Sequence, residues 1–101
     1  MGKMKAFRLL YSETTRRQIS RLSPEIKSIV RSRIDKIRSE PHTGKQLVRE
    51  LAGYRSLRAS RFRIIYKINE ENETVEIHFV GHRKDIYEIL TERTGKPQSI
   101  A

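Results

Sequence analysis

The stretch Tyr54-Arg55-Ser56-Leu57-Arg58-Ala59-Ser60-Arg61-Phe62-Arg63-Ile64-Ile65-Tyr66-Lys67 holds five basic residues and no acid. Four of the five are arginine, whose planar fork matches phosphate oxygens two at a time. Strand alternation sorts these side chains. If Phe62, Ile64, Tyr66 and Ile68 point into a core, then Arg61, Arg63, Ile65 and Lys67 point away. If Leu57 points inward, Tyr54, Ser56 and Arg58 point away as well. Two adjacent antiparallel strands then set Arg58, Arg61, Arg63 and Lys67 on one face. Like charges opposed across a sheet repel, so such a cluster calls for an anion between its members. Arg55, Arg58, Arg61 and Lys67 are the expected phosphate-binding set. Arg63 lies on the same face. The competing account is a solvated face charged for solubility, a purpose lysine serves equally well.

A second stretch, Val80-Gly81-His82-Arg83-Lys84-Asp85-Ile86-Tyr87, falls where a strand gives way to a helix. Arg83 and Tyr87 are four apart and share a face once the helix has begun. His82 lies beside them and is the side chain that titrates near neutrality. Arg83, Tyr87 and His82 are the candidate site residues of this stretch. The bland alternatives are a surface imidazole and a tyrosine packed in the core. Metal chemistry is not expected: His42, His78 and His82 have no ligand spacing with carboxylates, and there is no cysteine. No glycine-rich phosphate loop or dinucleotide fingerprint is present, so no cofactor is expected.

The rest of the chain must position these groups. Its 101 residues suit one domain, 1–101, with 95–101 as a frayed tail. Lys and Arg outnumber Asp and Glu by 22 to 12, and the net charge of +10 attracts polyanions. No apolar run approaches the roughly 20 residues of a membrane span, and the N-terminus has no signal-peptide pattern, so a cytoplasmic location is expected. Residues 5–11 read as a strand. Ser12 caps a first helix, and Ser23-Pro24-Glu25 starts a second, along which Ile26, Ile29, Val30, Ile34 and Ile37 form one stripe. Thr43-Gly44-Lys45 reads as a loop. Strands are expected over 54–59, 62–69 and 74–80, the last with Val75, Ile77 and Phe79 alternating against Glu76, His78 and Val80. A short helix should follow over 83–94, with Ile86, Ile89 and Leu90 as its buried side. The fold class is α+β: an N-terminal strand, a helical hairpin packed on a curved antiparallel sheet, and a short C-terminal helix.

This order of elements, with Leu57-Arg58-Ala59-Ser60-Arg61-Phe62-Arg63-Ile64-Ile65-Tyr66 and then Val80-Gly81-His82-Arg83-Lys84-Asp85-Ile86-Tyr87, resembles the RelE/ParE superfamily of toxin–antitoxin toxins, on the RelE side. The resemblance spans about residues 5–94 and implies a RelE-like fold. It implies a ribosome-dependent messenger RNA endoribonuclease that inhibits translation by metal-independent attack of a 2′-hydroxyl on the adjacent phosphodiester. In that pattern Arg63 and Arg83 match the arginines set against the phosphate, and Tyr87 resembles the tyrosine that stacks on or activates the substrate; with His82 for proton transfer, the catalytic residues the resemblance implies are Arg63, Arg83, Tyr87 and His82. Two features depart from it. Tyr87 follows Arg83 more closely than in the RelE pattern, and Ser56 stands where a lysine is expected before the Leu-Arg pair. The alternatives that stay open are a ParE-type inhibitor of DNA gyrase without nuclease activity, and an inactive or regulatory module of the same fold. The resemblance also implies a cognate antitoxin, meeting the helix around Ile86, Ile89 and Leu90. It implies operator DNA as a partner only for the toxin–antitoxin complex, and no membrane.

Overall fold

A computed structural model of the chain describes residues 6–82. The expected helix over 83–94, with Arg83, Ile86, Tyr87, Ile89 and Leu90, lies outside them. The elements are β1 (Arg8–Tyr11), α1 (Glu13–Ser20), α2 (Pro24–Ser39), β2 (Lys45–Gln46), β3 (Arg55–Ala59), β4 (Phe62–Asn69) and β5 (Thr74–His82), with short 3-10 turns at Pro41–Thr43 and Arg49–Leu51.

Both helices begin where their caps dictate. The Ser12 hydroxyl accepts from the Thr15 N–H at 3.0 Å, and the Ser23 hydroxyl accepts from the Ile26 N–H with Pro24 next in line. Thr15 is fully buried, and its hydroxyl donates to the Ile77 carbonyl at 3.0 Å, fastening α1 to β5. The α2 stripe delivers Val30, Ile34 and Ile37 into the core, where they meet Ala59, Ile64, Tyr66, Val75, Ile77 and Val80 of the sheet. Ser23→Ala removes an exposed cap, and thermal melting should show a loss of about 1 kcal/mol.

The five strands lie in the order β1-β5-β4-β3-β2. Strands β2 to β5 are mutually antiparallel, as expected from their short links, whereas β1 joins the edge parallel to β5. The sheet is therefore mixed. Its parallel edge follows from the crossover: the helical hairpin between β1 and the rest of the sheet returns the chain to β1's own end. Strand β2, at the other edge, begins at Lys45, the last residue of the expected loop. It is two residues long and pairs Lys45 with Ser56 and Gln46 with Arg55.

The register of β4 on β5 slips once. Ile65 pairs with Phe79 and Tyr66 with Ile77, leaving His78 as the extra residue of a bulge. The expected alternation of β5 is corrected at this point. Val75 and Ile77 face the helices, but beyond the bulge Val80 takes the helix side. Phe79 turns to the opposite face, where it packs with Leu51, Tyr54 and Ile65. The sheet thus carries apolar residues on both faces.

Tyr66 locks the connection between α2 and β2. Fully buried, it donates its hydroxyl to the Pro41 carbonyl at 2.6 Å and accepts from the Gly44 N–H at 2.9 Å. Burial pushes its phenol pKa up, and the Gly44 N–H and the charge of Arg55 pull less strongly the other way. Gly44 has no alternative here, because a Cβ would fall 2.4 Å from that hydroxyl.

Candidate phosphate-binding face

The β3–β4 hairpin turns through Ser60 and Arg61, with Ser60 at φ 62°. A positive φ at the first central residue belongs to the tight turns that hold two antiparallel strands in register. That register pairs Ser56 with Ile65, Leu57 with Ile64 and Arg58 with Arg63. Leu57 and Ile64 face the helices, so Ser56, Arg58, Arg63 and Ile65 occupy the opposite face. On β5, Gly81 stands across from Arg63 and Phe79 across from Ile65. The face away from the helices therefore carries a row Arg58–Arg63–Gly81 and beside it a row Ser56–Ile65–Phe79.

The details of these rows keep the arginines available. Gly81 carries no side chain, and a Cβ there would lie 2.7 Å from the Phe79 ring, so the ring leans over the glycine. The Arg63 guanidinium folds towards Ser56, donating to its hydroxyl at 3.5 Å. Arg58 is exposed and Arg63 half-buried. Among the described residues, no carboxylate lies within ion-pair distance of Arg58, Arg61 or Arg63. Two guanidinium groups opposed without a counter-ion are unfavourable for the sheet alone and favourable for an anion bound between them.

The structure gathers some of the expected site residues and separates others. Arg58, Arg63 and Lys67 share the open face. Lys67 lies one row beyond Ile65, paired with Glu76, and its ammonium stands 5.2 Å from the centre of the Tyr54 ring. Arg61 is exposed at the hairpin tip. It lines a groove of 760 Å³ on the helix side, together with Arg21, Leu22, Ile26, Phe62 and His82. Arg55 pairs with Tyr66 on the helix side, and its guanidinium donates to the carbonyls of His42 (3.2 Å) and Gly44 (2.7 Å). That side chain holds the turn before β2.

His82 is set apart from the arginine row. It pairs with Phe62, and the two rings stack at 4.7 Å with an angle of 27° between their planes. Unbroken alternation along β5 would carry His82 onto the face of Glu76 and His78, but the bulge turns it to the other side. The imidazole that does occupy the open face is His78. Its Nε2 lies 3.1 Å from the Glu76 carboxylate, and its ring meets Tyr54 edge-on at 5.4 Å. Sequence reasoning did not select it, because a histidine in a regular alternation looks like any solvent-facing strand residue. Arg83 and Tyr87 lie outside the described residues. The described residues contain no group of three His, Cys, Asp or Glu side chains able to hold a metal, and none of their helices is long and apolar enough to cross a membrane.

Comparison with known proteins gives this arrangement a family. The model of the ParE toxin of the type II toxin–antitoxin system parDE matches residues 4–87. Toxin RelG of Mycobacterium tuberculosis is 40% identical over 79 residues, covering 76% of this chain and 91% of RelG. The toxin–antitoxin complex RelBE2 of the same organism contains a chain that superposes with a TM-score of 0.71 at 36% identity, covering 78% of this chain and all of that one. A free mutant form of the Escherichia coli toxin RelE also superposes with a TM-score of 0.71, at 18% identity, over 91% of this chain and 98% of RelE, a likeness of fold. The helical hairpin on a mixed five-stranded sheet is thus the RelE-like fold, and the chain belongs to the RelE/ParE family of toxins of type II toxin–antitoxin systems.

Proposed function

We propose that this toxin is a ribosome-dependent messenger RNA endoribonuclease. One observation carries the reading: Arg58 and Arg63 stand opposite each other on the open face, with no carboxylate of the described residues to neutralise them. Cleavage by a 2′-hydroxyl passes through a phosphorane whose extra negative charge must be stabilised. Fixed guanidinium groups in a site closed from water contribute several kcal/mol to that step. Arg63 binds the non-bridging oxygens, Arg58 and Lys67 hold the flanking backbone, and Arg83 and Tyr87 complete the site from the segment after β5. No metal takes part in this scheme.

The partners follow from this reading. The ribosome presents the messenger, and a cognate antitoxin binds and neutralises the toxin; the similar chain of RelBE2 sits in a toxin–antitoxin complex. Operator DNA is met only by the toxin–antitoxin complex. The test is direct. Purified toxin added to ribosomes stalled on a defined messenger should yield fragments ending in a 2′,3′-cyclic phosphate. An intact messenger under conditions where the same toxin arrests growth would overturn the reading.

A second reading has its own support. The matching family model is described by ParE, and Ser56 stands where the RelE pattern has lysine. Under it the same arginine face meets DNA gyrase and cuts nothing. Trapped gyrase–DNA cleavage complexes, with an intact messenger, are its expected outcome.

A further inference from the structure

Two of the residues expected at the site stand apart from the arginine row. Arg61 and His82 meet on the other side of the sheet, in the groove of 760 Å³ beside the hairpin tip. We propose that this groove is a second part of the same RNA site and holds one nucleotide of the messenger next to the cleaved phosphate. The inference rests on the endoribonuclease reading above and extends it from the phosphate to a base.

The groove is built into the fold. Helix α1 ends at Ser20 and α2 begins at Pro24, so the link between them supplies Arg21 and Leu22, and the first turn of α2 supplies Ile26. Opposite them stand Phe62 of β4 with Val80 and His82 of β5. The two walls are tied together, because the Gln18 side chain accepts from the Val80 N–H at 2.7 Å. The volume lies in the usual range of small-ligand sites.

The lining suits a nucleotide. Leu22, Ile26 and Val80 are apolar, and beside them the Phe62 and His82 rings stack on each other at 4.7 Å. His82 is exposed, so a ring covered by Phe62 on one face can take a nucleobase on the other. Arg21 and Arg61 are exposed as well, one on the helix side and one at the hairpin tip. Among the described residues, no Asp or Glu lines the groove, and no carboxylate is within ion-pair distance of either guanidinium. A stacking surface with cations beside it is the usual means of holding single-stranded RNA. An apolar segment laid here would strip water from two guanidinium groups and return no counter-charge, whereas a nucleotide brings its own phosphate.

The groove also continues the arginine row. Phe62 pairs with Ala59 on one side and with His82 on the other. Arg58, Arg63 and Gly81 form the preceding row, one residue of rise or roughly 3.3 Å away, and face the opposite side. Beyond Ala59 and Phe62 there is only the Ser60–Arg61 turn. A phosphodiester on Arg63 therefore lies near the end of the sheet, and the RNA on one side of it can pass around that turn, along Arg61, into the groove.

The test is kcat/KM for cleavage on programmed ribosomes by wild type, His82→Ala and Arg61→Ala. Each is given a normal messenger and two messengers that lack the base of the nucleotide just before or just after the cleaved phosphate. On the normal messenger His82→Ala should lose about 5–150-fold, the range for removing one base stack. On one of the two altered messengers wild type should fall by the same factor and His82→Ala no further, so that the two cut within threefold of each other. Arg61→Ala should lose activity on all three messengers alike, because it holds phosphate rather than base. Both side chains are exposed, and melting curves establish that the variants are folded. A loss in His82→Ala that persists undiminished on both altered messengers overturns the proposal and leaves the nuclease reading standing. So does His82→Ala cutting the normal messenger within threefold of wild type, whether or not that variant escapes a neutralising partner protein. Wild-type protein that leaves every messenger intact removes both.

Discussion

Arg63→Ala lowers the rate of messenger cleavage on ribosomes by about 10²–10³-fold, the usual loss when one fixed donor to a developing oxyanion is removed. The same substitution leaves the protein as stable as before or slightly more so. Arg63 is half-buried and makes a single long hydrogen bond, 3.5 Å to Ser56, while facing Arg58 directly across the sheet. Relieving that opposition is worth a few tenths of a kcal/mol, up to about 1 kcal/mol. Activity and stability therefore move in opposite directions, which a collapsed fold cannot imitate. Arg63→Lys should fall between wild type and Arg63→Ala, because it keeps the charge and loses the fork. Cleavage rates at saturating ribosomes, with melting curves alongside, check both halves. An Arg63→Ala protein that cuts within threefold of wild type would remove Arg63 from the chemistry.

The largest effect on stability is expected at Tyr66. Tyr66→Ala opens a cavity between the sheet and α2, a change that typically costs about 3–5 kcal/mol for a buried aromatic ring. For a domain of this size that is a large part of the whole. Tyr66→Phe separates packing from hydrogen bonding. It keeps the ring but leaves the Gly44 N–H and the Pro41 carbonyl without their partner, at a cost of about 1–3 kcal/mol.

The phenol also sets an alkaline limit. Its pKa is raised in the folded protein, so the folded state holds the proton more tightly than the unfolded one. The stabilisation is complete below about pH 10, where the phenol of the unfolded chain titrates. Above that the unfolded chain releases its proton first, and stability falls as pH rises through the folded pKa. Tyr66→Phe should decline less steeply than wild type between pH 9 and 11. Tyr11, raised by burial and by Asp35, contributes a slope of the same sign. Equal slopes in the two proteins would show that Tyr66 does not set the limit.

The helices and the arginine pair are legible in the sequence because their causes are local. Ser12, Ser23 and Pro24 fix helix starts within a few residues, and the Ile26-to-Ile37 stripe has the helical period. Arg58 and Arg63 share a face because a two-residue turn sets their register, which alternation alone conveys. The features that escaped depend on partners far along the chain. Nothing near Arg8–Tyr11 says that this strand lies parallel to β5, and a two-residue strand such as Lys45–Gln46 has no pattern to detect. The bulge is the most consequential omission. Val75, Ile77 and Phe79 alternate perfectly on paper, and only the slip at His78 reveals that Phe79, Val80 and His82 have exchanged faces. Arg55 escaped for a related reason. It sits in the same basic run as Arg58 and Arg63, yet one step of alternation sends it to the other side, where it holds a turn.

The parallel pairing of β1 with β5 joins residues 66 positions apart, Arg8 to Thr74. Closing so long a loop is slow compared with forming a helical hairpin or a two-residue turn. Synthesis proceeds from the N-terminus, so β1 emerges first and pairs last. The helical hairpin can form while the rest of the chain is still being made. The sheet, and with it the strand that stands opposite Arg63, cannot. A fragment released before residue 74 has neither a partner for β1 nor the Gly81 side of the arginine row. Incomplete translation of this toxin therefore leaves the cell with an unassembled surface, and the capacity to do harm arrives only with the last strand.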